Sequence, residues 1–167
     1  MVVYMVNSHH LKVRVEGSII FLHGPLDEFA DFSNIPIPSE PVEINCRDLG
    51  SCNSIGIRNF VKLIKAIGPK KFNYTECSVQ FVDCINTFSA LLGLHKNGRI
   101  DSIFLDFICK NCFETQVSLT DIRHVVVGDS NNYHMIVDRC TRCANYLSPR
   151  GDLGDILEFV KHQRQGD

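Results

Sequence analysis

Four of the chain's eight cysteines fall into two Cys-x-x-Cys pairs, Cys109/Cys112 and Cys140/Cys143, with 27 residues between them. A Cys-x-x-Cys turn brings two thiolates onto one cation from a single tight bend, and a second such turn completes a tetrahedral shell of sulfur suited to zinc. Four protein ligands leave no position for water or substrate. The ion this pattern predicts is therefore a structural Zn2+ that holds the chain together and does no chemistry. Iron, singly or in a cluster, also accepts four thiolates, and spacing alone does not separate it from zinc. Disulfides and a thioredoxin-like redox pair compete for the same residues. The chain opens on Met1-Val2-Val3-Tyr4-Met5-Val6, too short for a secretory signal and without a basic start or a small-residue cleavage site. A cytoplasmic, reducing setting is therefore expected, which argues against disulfides. A redox pair would explain one Cys-x-x-Cys and leave the other without a purpose.

The remaining reactive residues carry weaker signals. Cys46, Cys52, Cys77 and Cys84 lack metal-ligand spacing and read as small buried apolar residues. The seven histidines include His9, His10, His95, His124 and His134; none pairs at metalloenzyme spacing, and four thiolates need no fifth ligand. Asp27 and Glu28 follow a Gly-Pro turn, but a lone acidic pair in a loop is poor support for acid/base work. No phosphate-binding glycine loop, nucleophile elbow or His-Glu-x-x-His occurs, so an enzyme is not expected.

These residues are set in a chain of 167, enough for one or two domains. A hydrophobic fraction of 44% and a charged fraction of 22% are those of a globular protein, and no apolar run is long enough to cross a bilayer. The formal net charge of −2 gives no overall attraction toward nucleic acid.

Hydrophobic periodicity then supplies the elements that must position the cysteines. Leu11, Val13 and Val15 alternate, Gly17 turns, and Ile19 to Leu22 form a second strand that Gly24-Pro25 is expected to stop. A short helix over Leu26 to Phe32 and a strand over Val42 to Cys46 follow. Ile57, Phe60, Val61, Ile64 and Ile67 share one face of a helix from Ser54 to Ile67, closed by Gly68-Pro69. Lys71 to Thr75 is a strand, and Ser78 caps a helix that carries Phe81, Val82, Ile85, Phe88 and Leu92 inward to Gly93. The polar stretch from Leu94 to Arg99 is the expected hinge. A strand over Ile100 to Ile108 then runs into Cys109, shared between both halves.

Beyond Cys109, three short strands are expected, at Glu114 to Leu119, Ile122 to Val127 and Tyr133 to Asp138, with the loop Gly128 to Asn132 before the last. This is the layout of a zinc ribbon. A unit so small buries too little apolar surface to fold without its metal. Ser148-Pro149 is expected to start a final helix whose Leu153, Ile156, Leu157 and Val160 form an inward stripe.

The run Ile44-Asn45-Cys46-Arg47-Asp48-Leu49 followed by Asn53-Ser54-Ile55-Gly56-Ile57-Arg58 resembles the STAS domains of bacterial anti-sigma-factor antagonists. Their signature is a strand, a short loop, then Asp-Ser-Ser-Gly-Leu opening a helix. The order of elements over residues 11 to 108 is similar as well, and the whole chain is similar to bacterial proteins in which such a domain continues into a Cys-x-x-Cys ribbon. The resemblance implies a mixed α/β sheet and places Ser54 at the position that a partner kinase phosphorylates. Gly56 matches the family's glycine and Ile57 its hydrophobic position, while Asn53 stands for aspartate and Ile55 for a second serine. Independently, Ser54 would lie at a helix N-terminus, where free N–H groups and the dipole tolerate phosphate. The plainer reading is that Ser54 is only the helix cap, since serine is among the preferred capping residues in any protein.

The expected architecture is thus an α/β, STAS-like mixed sheet with helices over residues 1–99, its last strand at 100–108. A small β-rich zinc ribbon with a C-terminal helix follows over 100–167. The expected function is a non-enzymatic adaptor that binds a protein partner through Asn53, Ser54, Gly56, Ile57 and Arg58, with phosphorylation of Ser54 as the switch that the resemblance implies. The alternative is a nucleic-acid-binding ribbon linked to transcription. It needs clustered basic residues, but over 100–167 the acidic ones outnumber Lys110, Arg123, Arg139, Arg142, Arg150, Lys161 and Arg164. A third reading has the four-thiolate site release its metal on oxidation.

Overall fold

The computed structural model describes residues 3–7, 10–39, 41–94, 96–128 and 133–164. His9, His95 and positions 129–132 of the expected loop lie outside the described residues. The architecture is mixed α/β. Strands β1 (Val3–Asn7), β2 (Lys12–Glu16), β3 (Ile19–Leu26), β4 (Val42–Cys52), β5 (Phe72–Thr75) and β6 (Gly98–Ile100) form one six-stranded sheet in sequence order. The first three are antiparallel neighbours, and β3 through β6 run parallel. Helix α1 (Ser54–Ile67) connects β4 to β5, and α2 (Val79–Phe88) connects β5 to β6. Both crossovers join parallel neighbours in one advancing order, which places the two helices on the same face of the sheet.

That face is apolar because strand residues alternate sides. Val13, Val15, Ile20, Leu22, Val42, Ile44, Phe72 and Tyr74 point into the core, against Ile57, Phe60, Leu63, Ile67, Phe81, Val82 and Ile85 of the helices. Phe32, Phe60, Phe72, Tyr74 and Phe81 form a chain of ring contacts at its centre, and the buried Tyr74 hydroxyl donates to the Leu92 carbonyl at 2.8 Å. The opposite face is polar, with Arg14 stacked 4.2 Å from the Phe21 ring.

A smaller antiparallel sheet is built from β7 (Ser102–Cys109), β8 (Thr115–Asp121) and β11 (Leu147–Pro149), in the order β11-β7-β8. Two-residue strands β9 (Val126–Val127) and β10 (Tyr133–His134) pair with each other. The chain ends in α3 (Leu153–Ile156) and α4 (Glu158–Arg164). Leu157, Phe159 and Val160 are fully buried, with Leu153 and Ile156 partly so, as the expected inward stripe requires.

Several expectations fail locally. Residues 26–32 form no helix: β3 continues to Leu26 through two register shifts, and the chain then makes side-chain turns. The Asp27 carboxylate accepts from Phe29 N, and the Asp31 carboxylate accepts from Ser33 N, so these side chains compete with helical bonding. The single strand over 100–108 is two strands in different sheets, divided at Asp101, whose N–H donates to Tyr74 O while its carbonyl accepts from Ile122 N. Residues 122–124 form a 3-10 turn capped by Asp121, leaving only Val126–Val127 of the strand expected there, and only Tyr133–His134 of the next. Ser148-Pro149 belongs to β11, where proline is tolerated on an edge strand, and the final helical segment starts instead at the Asp152 cap. The expected hinge is pinned among its described residues: Leu94 is buried, Phe72 N donates to Asn97 O, and the Asn97 amide donates to Gly68 O and Lys70 O.

Candidate metal centre

Strand β7 runs directly into Cys109, and the bend Cys109-Lys110-Asn111-Cys112 turns the chain back into β8. The second bend, Cys140 to Cys143, returns the chain into β11. Because β11 pairs with β7 and sets Leu147 opposite Cys109, the two bends are held side by side. They share one hydrogen-bond pattern. Phe113 N donates to Cys109 O and Cys109 N to Glu114 O, both at 2.9 Å; Ala144 N donates to Cys140 O at 2.8 Å and Cys140 N to Asn145 O at 2.9 Å. In each bend the residue after the second cysteine is left-handed, Phe113 at φ 57° and Ala144 at φ 58°. Neither is glycine, so both bends hold a backbone conformation that costs about 1–2 kcal/mol per residue.

The four sulfur atoms lie within 4.8 Å of one another. Cys109–Cys143, Cys112–Cys140 and Cys112–Cys143 are each 3.5 Å apart, and all four cysteines are free thiols. A disulfide would need about 2.05 Å. A tetrahedron of sulfur around one ion at about 2.3 Å has edges of about 3.8 Å, close to the observed spacing. The cluster can therefore bind a metal ion. Cys109 and Cys140 are buried, while Cys112 and Cys143 sit at the rim.

Two amides missed in the sequence reading, Asn111 and Asn145, donate to the Cys143 sulfur at 3.7 and 3.6 Å. The backbone N–H of Asn145, then its side chain and the neighbouring thiols, pull the Cys143 thiol down to about 6. At Cys112 the Glu114 backbone N–H acts in the same direction, but burial and the three other sulfurs outweigh it and push the thiol up to about 12. The signal for these amides is faint: an asparagine between the first pair of cysteines and another two residues after the second pair. Across the bends, Arg142 reaches Glu114 at 3.4 Å, and Gln116 Oε1 accepts from Thr141 N.

The Ser54 segment belongs to the large sheet, where β4 ends and α1 begins, and is not joined to the sulfur cluster. Asn53 caps α1: its side-chain oxygen accepts from Ile55 N at 3.0 Å and Gly56 N at 2.8 Å. Ser54 is therefore not the cap, and it lies exposed in the first turn. Asn53 N donates to Leu26 O at 2.9 Å, and its amide donates to Glu28 at 2.8 Å. Gly56 and Ile57 are buried and fix the turn; Asn53, Ser54, Ile55 and Arg58 face solvent. His10 Nδ1 lies 2.6 Å from the Asp27 carboxylate, and the ring sits edge-on to Phe29 at the surface.

No helix among the described residues is long and apolar enough to cross a membrane. Comparison with protein-family models, with curated proteins and with solved structures returned no match to this chain.

Proposed function

We propose that the protein is a non-enzymatic adaptor: a STAS-like α/β module that docks a protein partner around Ser54, fused to a ribbon stapled by structural zinc. The observation that carries the docking reading is the exposed first turn of α1. Asn53 satisfies the cap, which leaves the Ser54 hydroxyl without that duty, and Ile55 is half exposed on a helix whose other large apolar residues are mostly covered. Arg58 lies one turn beyond Ser54, within reach of a phosphate placed there. Such a phosphate would also stand near Glu28, which Asn53 contacts, so phosphorylation would turn a patch of balanced charge strongly negative. Partner exchange is then a change of affinity and not a reaction.

Zinc is favoured over iron–sulfur chemistry by the compactness of the site. A cluster interposes several irons and bridging sulfides between its thiolates, whereas these sulfurs already touch. Elemental analysis should return one zinc per chain, and a mononuclear iron would be seen in the same measurement. A protein that keeps its circular dichroism and β7–β8 amide protection after complete metal removal refutes the staple. For docking, Ser54→Asp and Ser54→Ala should capture different partner sets from a bacterial lysate; identical sets remove the switch.

A second reading, nucleic-acid binding by the ribbon, is favoured by one feature. Phe113 and Tyr146 are 75% and 71% exposed, with Arg139 stacked 4.0 Å from the Tyr146 ring. Single-strand binding that pairs such rings with basic contacts to phosphate is strongest at low salt, so absence of single-strand retention at low ionic strength eliminates it.

A further inference from the structure

Charge is spread unevenly over this chain. Although its net charge is −2, no acidic residue occurs between Asp48 and Glu76, a span that carries Arg58, Lys62, Lys65, Lys70 and Lys71. None occurs between Asp83 and Asp101 either, where Lys96 and Arg99 lie. The fold brings these two acid-free spans together at one cleft of about 320 Å³, between the last turns of α1 and the turn that follows α2. Val61, Ile64, Leu91 and two glycines, Gly68 and Gly93, give it an apolar lining. Lys65 and Lys96 line it as well, and both are exposed. Leu91 is 54% exposed, an apolar side chain left in water beside two ammonium groups.

We propose that this cleft docks an acidic segment of a protein partner, which seats an aliphatic side chain against Leu91 and Val61 while flanking carboxylates meet Lys65 and Lys96. Charge complementarity selects the occupant. No ion pair among the described residues includes a lysine, so the positive charge around the cleft is not neutralised from within the chain. Lys62 and Lys70 donate to neutral oxygens, on Asn59 at 2.9 Å and on Pro38 at 2.8 Å, and the Asp31 carboxylate senses Lys62 without pairing to it. Arg58, Lys62 and Lys65 stand at i, i+4 and i+7, all exposed, and so extend the basic surface as one row along α1. Such a row draws an acidic partner in, and the apolar lining then holds it.

Other occupants fit less well. A small molecule needs directional polar groups to orient it, but the Asn97 amide in this cleft is already spent on Gly68 O and Lys70 O. Nucleic acid is gripped by arginine forks and stacked on aromatic rings, and neither lines the cleft. A bilayer takes up a broad apolar face, whereas here the apolar residues are recessed between lysines and only Leu91 stands out. The site lies about 16 Å along the helix axis from Ser54, at the far end of α1, so it does not rest on the reading of that serine.

The test measures fluorescence anisotropy of a labelled helical peptide of glutamate and alanine, with two leucines one turn apart, titrated with the full-length, metal-loaded protein. Binding should weaken as salt rises and should be lost when the leucines of the peptide are replaced by alanine. Lys65→Glu combined with Lys96→Glu should reduce affinity about ten-fold or more, and Leu91→Ala about five-fold, with unfolding midpoints unchanged because all three side chains are exposed. Lys12→Glu, on the opposite face of the large sheet, and Ser54→Ala should leave it as it was. A peptide that does not bind, or binds equally well to the charge-reversed protein, overturns the proposal. So does tighter binding of a thymidine oligonucleotide or of phosphatidylglycerol vesicles that depends on the same two lysines, and so does a dimer of the protein alone that their reversal dissolves, which would put a second copy in the cleft.

Discussion

Replacing Gly56 with alanine tests how α1 is seated. In an ordinary helix this exchange stabilises by about 1 kcal/mol, because alanine restricts the unfolded chain and favours the helix. Here the added methyl would lie 1.9 Å from Leu26 O, 2.1 Å from Leu26 C and 2.6 Å from Asp27 N, all backbone atoms that no rotamer change can move. Restoring normal contact requires the start of α1 to retreat by more than 1 Å from β3. That motion strains the Asn53 N to Leu26 O bond, now 2.9 Å. Overpacking costs about 1–3 kcal/mol and a lost hydrogen bond about 1 kcal/mol more, so the net effect after the helix gain is a loss of about 2 kcal/mol. For a chain of this size that is a fall in Tm of about 4–8 °C. The assay is urea and thermal unfolding with saturating metal, alongside Gly50→Ala, whose methyl would meet nothing closer than 3.8 Å and should be tolerated. If Gly56→Ala matches or exceeds the parent in stability, helix propensity outweighs the contact and the seating of α1 on Leu26 is wrong.

Three further outcomes are expected. Phe113→Gly relieves the left-handed strain at an exposed side chain and should slow metal loss to a competing chelator; faster loss would mean that the ring itself supports the bend. The Asn86 amide of α2 donates to Asp155 O and Ile156 O and accepts from Phe159 N, so Asn86→Ala should cost about 2–3 kcal/mol and open the C-terminal segment to protease, with unchanged cleavage arguing against that tie. Glu76 is held below its usual value first by the Arg47 guanidinium, at 2.6 and 3.0 Å, and by Asn45. Its contribution to stability is therefore complete above the ordinary carboxylate range and is lost as pH falls through the lowered folded value. Urea midpoints of Arg47→Ala should converge with those of the parent at acid pH, and a gap that persists there would contradict the pairing.

What could be read from the chain alone is what neighbouring residues encode. Two Cys-x-x-Cys turns are local geometry, and their sulfurs do gather. The stripes Ile57-Phe60-Ile64-Ile67 and Phe81-Val82-Ile85 are set by the helical repeat, and both face the core. The alternation Leu11-Val13-Val15 likewise turned one face of a strand inward. Errors came where two local signals compete and a distant contact decides between them. Gly24-Pro25 looked like a stop, but pairing with β4 carries β3 past it to Leu26. Asn53 and Ser54 are both good caps by type, and only the Leu26 carbonyl waiting for the Asn53 N–H settles which one starts the helix.

Other features leave no local trace at all. The division of residues 98–109 between two sheets at Asp101 depends on Tyr74 and Ile122, and the edge of β6 is covered by Gln163, whose side-chain amide both donates to and accepts from Ile100. Periodicity and turn chemistry are properties of adjacent residues and survive in a linear string. Strand order, shared carbonyls and thiol contacts exist only once hydrophobic burial has brought remote segments to one place, so the folded structure alone determines them.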